Sequence, residues 1–101
     1  MALREDIKPA LAECVRLCHN DKNIKRLILF GSVADETNTE DSDIDLCIDT
    51  TYDIRDPGLF KICADINKAC GYMCDLLHYN RLAGPIKQEV DRKGVILYDI
   101  S

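Results

Sequence analysis

Residues 31–49, GSVADETNTEDSDIDLCID, follow directly on the apolar run Leu27-Ile28-Leu29-Phe30 and place seven acidic side chains in nineteen positions. The run from Lys25 to Phe30 is short, continuous and bounded by turn signals, which predicts a strand covered on both sides. Ile44, Leu46 and Ile48 alternate with Asp43, Asp45, Cys47 and Asp49, a period of two that predicts a second strand with one apolar face and one acidic face. Asp43 and Asp45 then point to the same side, about 7 Å apart along the backbone. Two like charges so placed repel by about 1 kcal/mol or more even when solvated. A cation between them converts that repulsion into binding energy, and hard oxygen ligands suit Mg²⁺ or Mn²⁺.

Gly31-Ser32 ends the first strand at a point where glycine lets the backbone approach a ligand closely. A short helix starting at Ser32 would turn its free amides and hydroxyl toward a phosphate. Strand end, Gly-Ser turn and Asp-x-Asp pair together describe a site for a metal-bound nucleoside triphosphate. Asp35, Glu36, Glu40 and Asp41, taken alone, read as solvated loop surface. A calcium loop is excluded, because its sixth-position glycine would be Leu46 and its twelfth-position glutamate Tyr52.

Outward from this stretch, Ile7, Ala10, Leu11, Cys14, Val15, Leu17 and Cys18 recur at helical spacing and predict an amphipathic helix over 6–19, with Pro9 in its first turn. Asp56-Pro57 reads as an N-cap with proline at the first helical position, opening a second helix that runs to Gly71. Tyr72 to Tyr79 is expected as a third strand, Pro85 to Arg92 as a short helix closed by Gly94, and Val95 to Tyr98 as a last strand.

The 101 residues make one domain, 1–101, with a single core. With 47% apolar and 31% charged residues, the composition is that of an ordinary globular protein. No apolar stretch approaches the ~20 residues of a membrane span, and the N-terminus has no basic start or apolar centre of a signal peptide, so a cytoplasmic protein is expected. A net charge of -5 argues against direct nucleic-acid binding, which relies on clustered Lys and Arg. The six cysteines sit in apolar patterns and are expected as reduced core thiols, with neither a disulfide nor a zinc site. His19 and His78 are read as structural, Arg81, Lys87, Arg92 and Lys93 as a solvated basic cluster, and the tyrosines as core or sheet residues.

Gly31, Ser32 and Ala34, followed in register by Ser42-Asp43-Ile44-Asp45-Leu46, resemble the nucleotidyltransferase superfamily that includes DNA polymerase β, and most closely its minimal nucleotidyltransferase (MNT) branch. Cys74-Asp75-Leu76-Leu77 and Gly94-Val95-Ile96-Leu97-Tyr98 match the branch's later strand with a third acid and its characteristic ending. The resemblance implies an α+β nucleotidyltransferase fold, a mixed sheet with helices packed on it in a single small domain. It implies that Asp43 and Asp45 hold metal ions, that Asp75 holds the catalytic metal and orients or deprotonates the acceptor hydroxyl, and that Gly31 and Ser32 bind the β and γ phosphates of ATP. It further implies a partner: stand-alone MNT proteins are often antitoxins of all-helical HEPN ribonucleases, and some add AMP from ATP to the toxin.

Two features separate this chain from the branch's usual pattern. Val33, Asp35 and Glu36 stand where members commonly carry arginines and a glycine. No acceptor-binding domain accompanies the motif, so a partner is expected to present the acceptor. The leading reading is therefore a protein adenylyltransferase acting as an antitoxin. A binding module that neutralises its partner by surface contact, and a homodimeric small-molecule nucleotidyltransferase, are the alternatives; homo- and hetero-oligomers both stay open.

Overall fold

The computed structural model describes residues 8–31, 44–70 and 74–100. Within these, α1 (Lys8–His19) leads into β1 (Ile24–Phe30), and β2 (Ile44–Thr50) is followed by α2 (Pro57–Ala69) and β3 (Cys74–His78). A single 3₁₀ turn (Tyr79–Arg81) precedes α3 (Gly84–Lys93) and β4 (Val95–Asp99).

The four strands form one mixed sheet in the order β3-β2-β1-β4. β1 runs antiparallel to both β2 and β4, whereas β2 and β3 are parallel, joined by the α2 crossover. Alternation along the central strands sorts the side chains into two clusters, one on each face of the sheet, where a single core was expected. Leu27 and Leu29 of β1 and Ile44, Leu46 and Ile48 of β2 face Leu11, Cys14 and Cys18 of α1 and Leu59, Ile62 and Ile66 of α2. Ile28, Phe30 and Cys47 face the other way, against Val90 of α3 and the partly buried Leu77, Tyr79 and Leu82. The prediction that β1 is covered on both sides is met by helices on both faces.

Local chemistry places the elements. Asp56 caps α2, its carboxylate accepting from the Gly58 amide at 2.8 Å, and Pro57 occupies the first turn where no helical amide bond is lost. Gly94 ends α3 for a different reason from the one its position suggests. Its φ of -63° is open to any residue, but a Cβ there would lie 2.4 Å from the Val90 carbonyl oxygen and 2.5 Å from Ile28 Cγ2. Close packing, not a left-handed turn, excludes a side chain.

One strand boundary is revised. β3 is shorter than 72–79 among the described residues: it ends at His78, and Tyr79 opens the 3₁₀ turn. Tertiary partners draw Tyr79 away from the sheet ladder, since the Arg26 guanidinium lies 4.7 Å from its ring centre and its hydroxyl donates to Asp91 at 2.8 Å. The acid-bearing face of β2 includes a buried acid. Asp49 is only 7% exposed and is paired. The expected helix start at Asp6 and the expected stop at Gly71 lie outside the described residues.

Candidate active site at the head of β2 and β3

Parallel pairing aligns Asp45 directly with Asp75, and Ile44 with Cys74. Neighbouring strands lie about 4.8 Å apart, so residues aligned across a ladder project side by side on the same face. That face is the one opposite α1 and α2, because Ile44 and Leu46, on either side of Asp45, point into the core beneath those helices. Asp45 is half-buried and Asp75 is exposed at the sheet edge, where solvent and a ligand can reach it.

The third component comes from β1. Phe30 pairs with Asp45, which brings the next residue, Gly31, against the Asp45 carboxylate. Gly31 adopts φ +76°, and a Cβ at that position would stand 2.2 Å from Asp45 Oδ2. Glycine is therefore required twice, by the left-handed backbone and by the carboxylate packed over it.

Gly31, Asp45 and Asp75, predicted from separate parts of the chain, are thus assembled by the β1-β2-β3 arrangement. Ser32 and Asp43 lie outside the described residues, as do Val33, Asp35 and Glu36. Among the described residues no group of three metal-ligating side chains is present. Asp45 and Asp75 alone supply two hard carboxylates on one side of the sheet, a donor type that suits Mg²⁺ or Mn²⁺ rather than a soft metal.

Farther along β2 the same face carries groups that periodicity left unassigned. Arg26 and Asp49 are cross-strand partners in β1 and β2. Both Nε and Nη2 of Arg26 reach Asp49 Oδ2 at 3.0 Å. Burial opposes the Arg26 charge, but the bonds to Asp49 and Tyr79 outweigh it and hold the guanidinium above its usual range. Lys87 adds a second cation 5.5 Å from the Tyr79 ring centre, so part of the basic cluster expected to be a solvated face is engaged. The period-two spacing of Asp45 and Asp49 was visible in the sequence, but the partner of Asp49 depends on strand order. On the opposite face, aligned with Ile48, His78 Nε2 lies 3.1 Å from Thr50 Oγ1, while its Nδ1 is buried with no hydrogen-bond partner. Burial, opposed by Asp49 and to a smaller extent reinforced by Arg81, pulls the imidazole below its ordinary value. His19 packs edge-on against Tyr98 at 4.7 Å, in keeping with a structural role.

A sheet edge that sets carboxylates of two parallel strands beside a strand-terminal glycine defines a nucleotidyltransferase-type domain. Residues 12–101 match the family described as polymerase beta, nucleotidyltransferase, and the chain belongs to that family. No curated protein matches the sequence. Among solved structures, the chain is similar to one in a crystal structure of a toxin-antitoxin with AMP-PNP, at 20% identity and TM-score 0.67 over 89% of this chain and 71% of that one. It is also similar to a chain in the structure of a tri-AMPylated Shewanella oneidensis HEPN toxin in complex with MNT antitoxin, at 18% identity and TM-score 0.64 over 89% and 70%. A third, in the toxin-antitoxin MntA-HepT, matches at 16% identity and TM-score 0.64 over 89% and 70%. At these identities the likeness establishes the fold, a small α+β domain with a four-stranded mixed sheet.

Proposed function

We propose that this protein is a metal-dependent nucleotidyltransferase that transfers AMP from ATP to a HEPN-type helical partner and acts as the antitoxin of that pair in the cytoplasm. The observation that carries this reading is the alignment of Asp45 with Asp75 beside Gly31 in a chain of the nucleotidyltransferase family. Support for the substrate and the partner comes from the similar structures, one with AMP-PNP and one with an AMPylated HEPN toxin beside an MNT antitoxin. Among the described residues no helix is long and apolar enough to cross a membrane.

In this proposal Asp43, Asp45 and Asp75 hold Mg²⁺ or Mn²⁺. Bound there, divalent cations would neutralise the triphosphate and stabilise the attacking and leaving oxygens of an in-line displacement. Gly31 leaves the strand end open to the phosphates, and the Ser32 hydroxyl donates to the β and γ groups. Asp75, the more exposed carboxylate, orients the acceptor hydroxyl and takes its proton as the oxygen bonds the α-phosphorus and pyrophosphate departs.

A second reading has one feature in its favour: Asp35 and Glu36 put two acids in the loop after Gly31-Ser32, where a triphosphate gains from cations. It holds that the protein neutralises its partner by contact alone. One experiment separates the two. The chain is incubated with Mg²⁺ and α-labelled ATP, with and without a co-purified partner, and compared with the Asp43→Asn/Asp45→Asn double variant. Label on the partner from wild type only is the expected result. A stable complex with both proteins and label with neither overturns the catalytic reading, and transfer to a small molecule with no protein acceptor overturns the choice of acceptor.

A further inference from the structure

On the side of the sheet covered by α1 and α2, opposite the acidic face, three elements converge on a cluster of thiols. Cys14 comes from the middle of α1, Cys70 is the C-cap of α2, and Cys74 opens β3. The sulfurs of Cys14 and Cys70 are 3.4 Å apart although 56 residues separate them in sequence. Cys74, four residues on from Cys70, donates to Asn67 Oδ1 at 3.3 Å. Cys14 is fully enclosed and Cys70 is 5% exposed, whereas Cys74 is only half-buried and opens the cluster to small solutes. Two thiols this close share one redox chemistry, the formation of a disulfide.

We propose that Cys14 and Cys70 are an oxidation site: peroxide converts them to a disulfide that ties α1 to the end of α2. The Cys70 thiol gives up its proton and attacks one peroxide oxygen; the O–O bond breaks, leaving a sulfenic acid on Cys70 and a hydroxide that takes up that proton as water. Cys14 then attacks the Cys70 sulfur, the S–S bond forms, and the second oxygen leaves with the Cys14 proton as water. In sum, two thiols lose two electrons and two protons, and one hydrogen peroxide becomes two waters. The Cys14 and Cys70 sulfurs close from 3.4 Å to the bonded distance of about 2 Å. The enclosed Cys18 and Cys47 serve as internal controls: burial pushes both thiols up, whereas the bond from Cys14 holds Cys70 below the usual thiol range.

The test uses the full chain without its partner, fully reduced and then treated with hydrogen peroxide, its remaining thiols alkylated and its peptides mapped without reduction. A Cys14–Cys70 linked peptide is expected, about 2 Da lighter than the sum of its reduced halves, with the other four cysteines alkylated. Dithiothreitol should restore all six thiols. Cys14→Ala should abolish the linked peptide, while Cys74→Ala should still form it. Recovery of six free thiols under peroxide that fully oxidises a control thiol peptide overturns the site, as does Cys70–Cys74 as the final product. Loss of the linked peptide in a folded Cys74→Ala variant overturns direct attack by Cys70. The wild-type map decides the pairing even where a core cysteine variant fails to fold.

Discussion

Replacing Gly31 by alanine tests whether the carboxylate of Asp45 is held in place by the strand end beneath it. Gly31 has φ +76°, and holding an L residue in this region costs about 1–2 kcal/mol. The added Cβ would also lie 2.2 Å from Asp45 Oδ2, 3.0 Å from its Cγ and 3.2 Å from its Cβ, where ordinary contact begins at 3.4 Å. Relief requires the terminal oxygen to retreat by about 1 Å, and an off-rotamer side chain costs about 0.5–1.5 kcal/mol. The total loss is therefore about 1.5–3.5 kcal/mol. Gly84 supplies the control. It too has a positive φ, +64°, yet a Cβ there meets nothing within 4 Å. Gly84→Ala should lose only the backbone share of about 1–2 kcal/mol. Urea unfolding of both variants isolates the contact with Asp45, and it does so without reference to activity. In the labelled-ATP assay, a reacting group displaced by about 1 Å lowers transfer about 100-fold, so Gly31→Ala should fall to that level while Gly84→Ala stays near wild type. Equal stability losses in the two variants, with transfer by Gly31→Ala within about twofold of wild type, would refute the argument.

Other sites give independent expectations. Arg26→Met leaves Asp49 at 7% exposure without its guanidinium, and should lower the unfolding free energy by about 2 kcal/mol, less than a fully enclosed pair because the Arg26 side chain is 28% exposed; a loss below about 0.5 kcal/mol in urea titration would show that solvent already screens the pair. The folded state holds the His78 pKa below its unfolded value of 6.5, so between the two values the unfolded chain binds more protons and stability falls as pH drops below about 6.5. His78→Gln should flatten that part of the urea-midpoint profile from pH 7.5 to 5.5, and an unchanged slope would assign it to other groups. Asp56→Ala removes the acceptor of the Gly58 amide and should cost about 1 kcal/mol, read as a lower urea midpoint with an unchanged m-value.

Much of this architecture was readable from periodicity and turn chemistry. The alternation of Ile44, Leu46 and Ile48 assigned β2 and its two faces, because a strand side chain has only two directions to point. Asp56-Pro57 marked the start of α2 to the residue, since a side-chain acceptor and a missing amide are local requirements. What depends on distant partners was not readable. A period of two says which side a residue faces but not which strand lies beside it, so the pairing of Asp49 with Arg26 emerges only once β1 and β2 are neighbours. Tyr79 looked like strand because its type favours sheets, yet contacts with Arg26 and Asp91 decide its place. Gly94 was correctly placed as a terminator, but its cause is the Ile28 methyl and Val90 carbonyl pressed against it. For the site, Gly31 and Asp45 were identified by motif spacing and Asp75 by the family resemblance, and the strand ladder brings them to one place.

The parallel ladder between β2 and β3 also sets where the chain can change length. Asp45 and Asp75 are each the second residue of their strands, so their alignment depends on how the two strands begin and not on how many residues α2 and its connections contain. Residues added in the turns of 51–56 leave the ladder intact, as loop closure grows only slowly with length. A single residue inserted between Cys74 and Asp75 would instead turn the carboxylate to the helix-covered side and bring Leu76 outward. Length variation in a lineage carrying this fold should therefore collect in the crossover and be purged from the first two positions of either strand, a pattern set by geometry before any selection on catalysis.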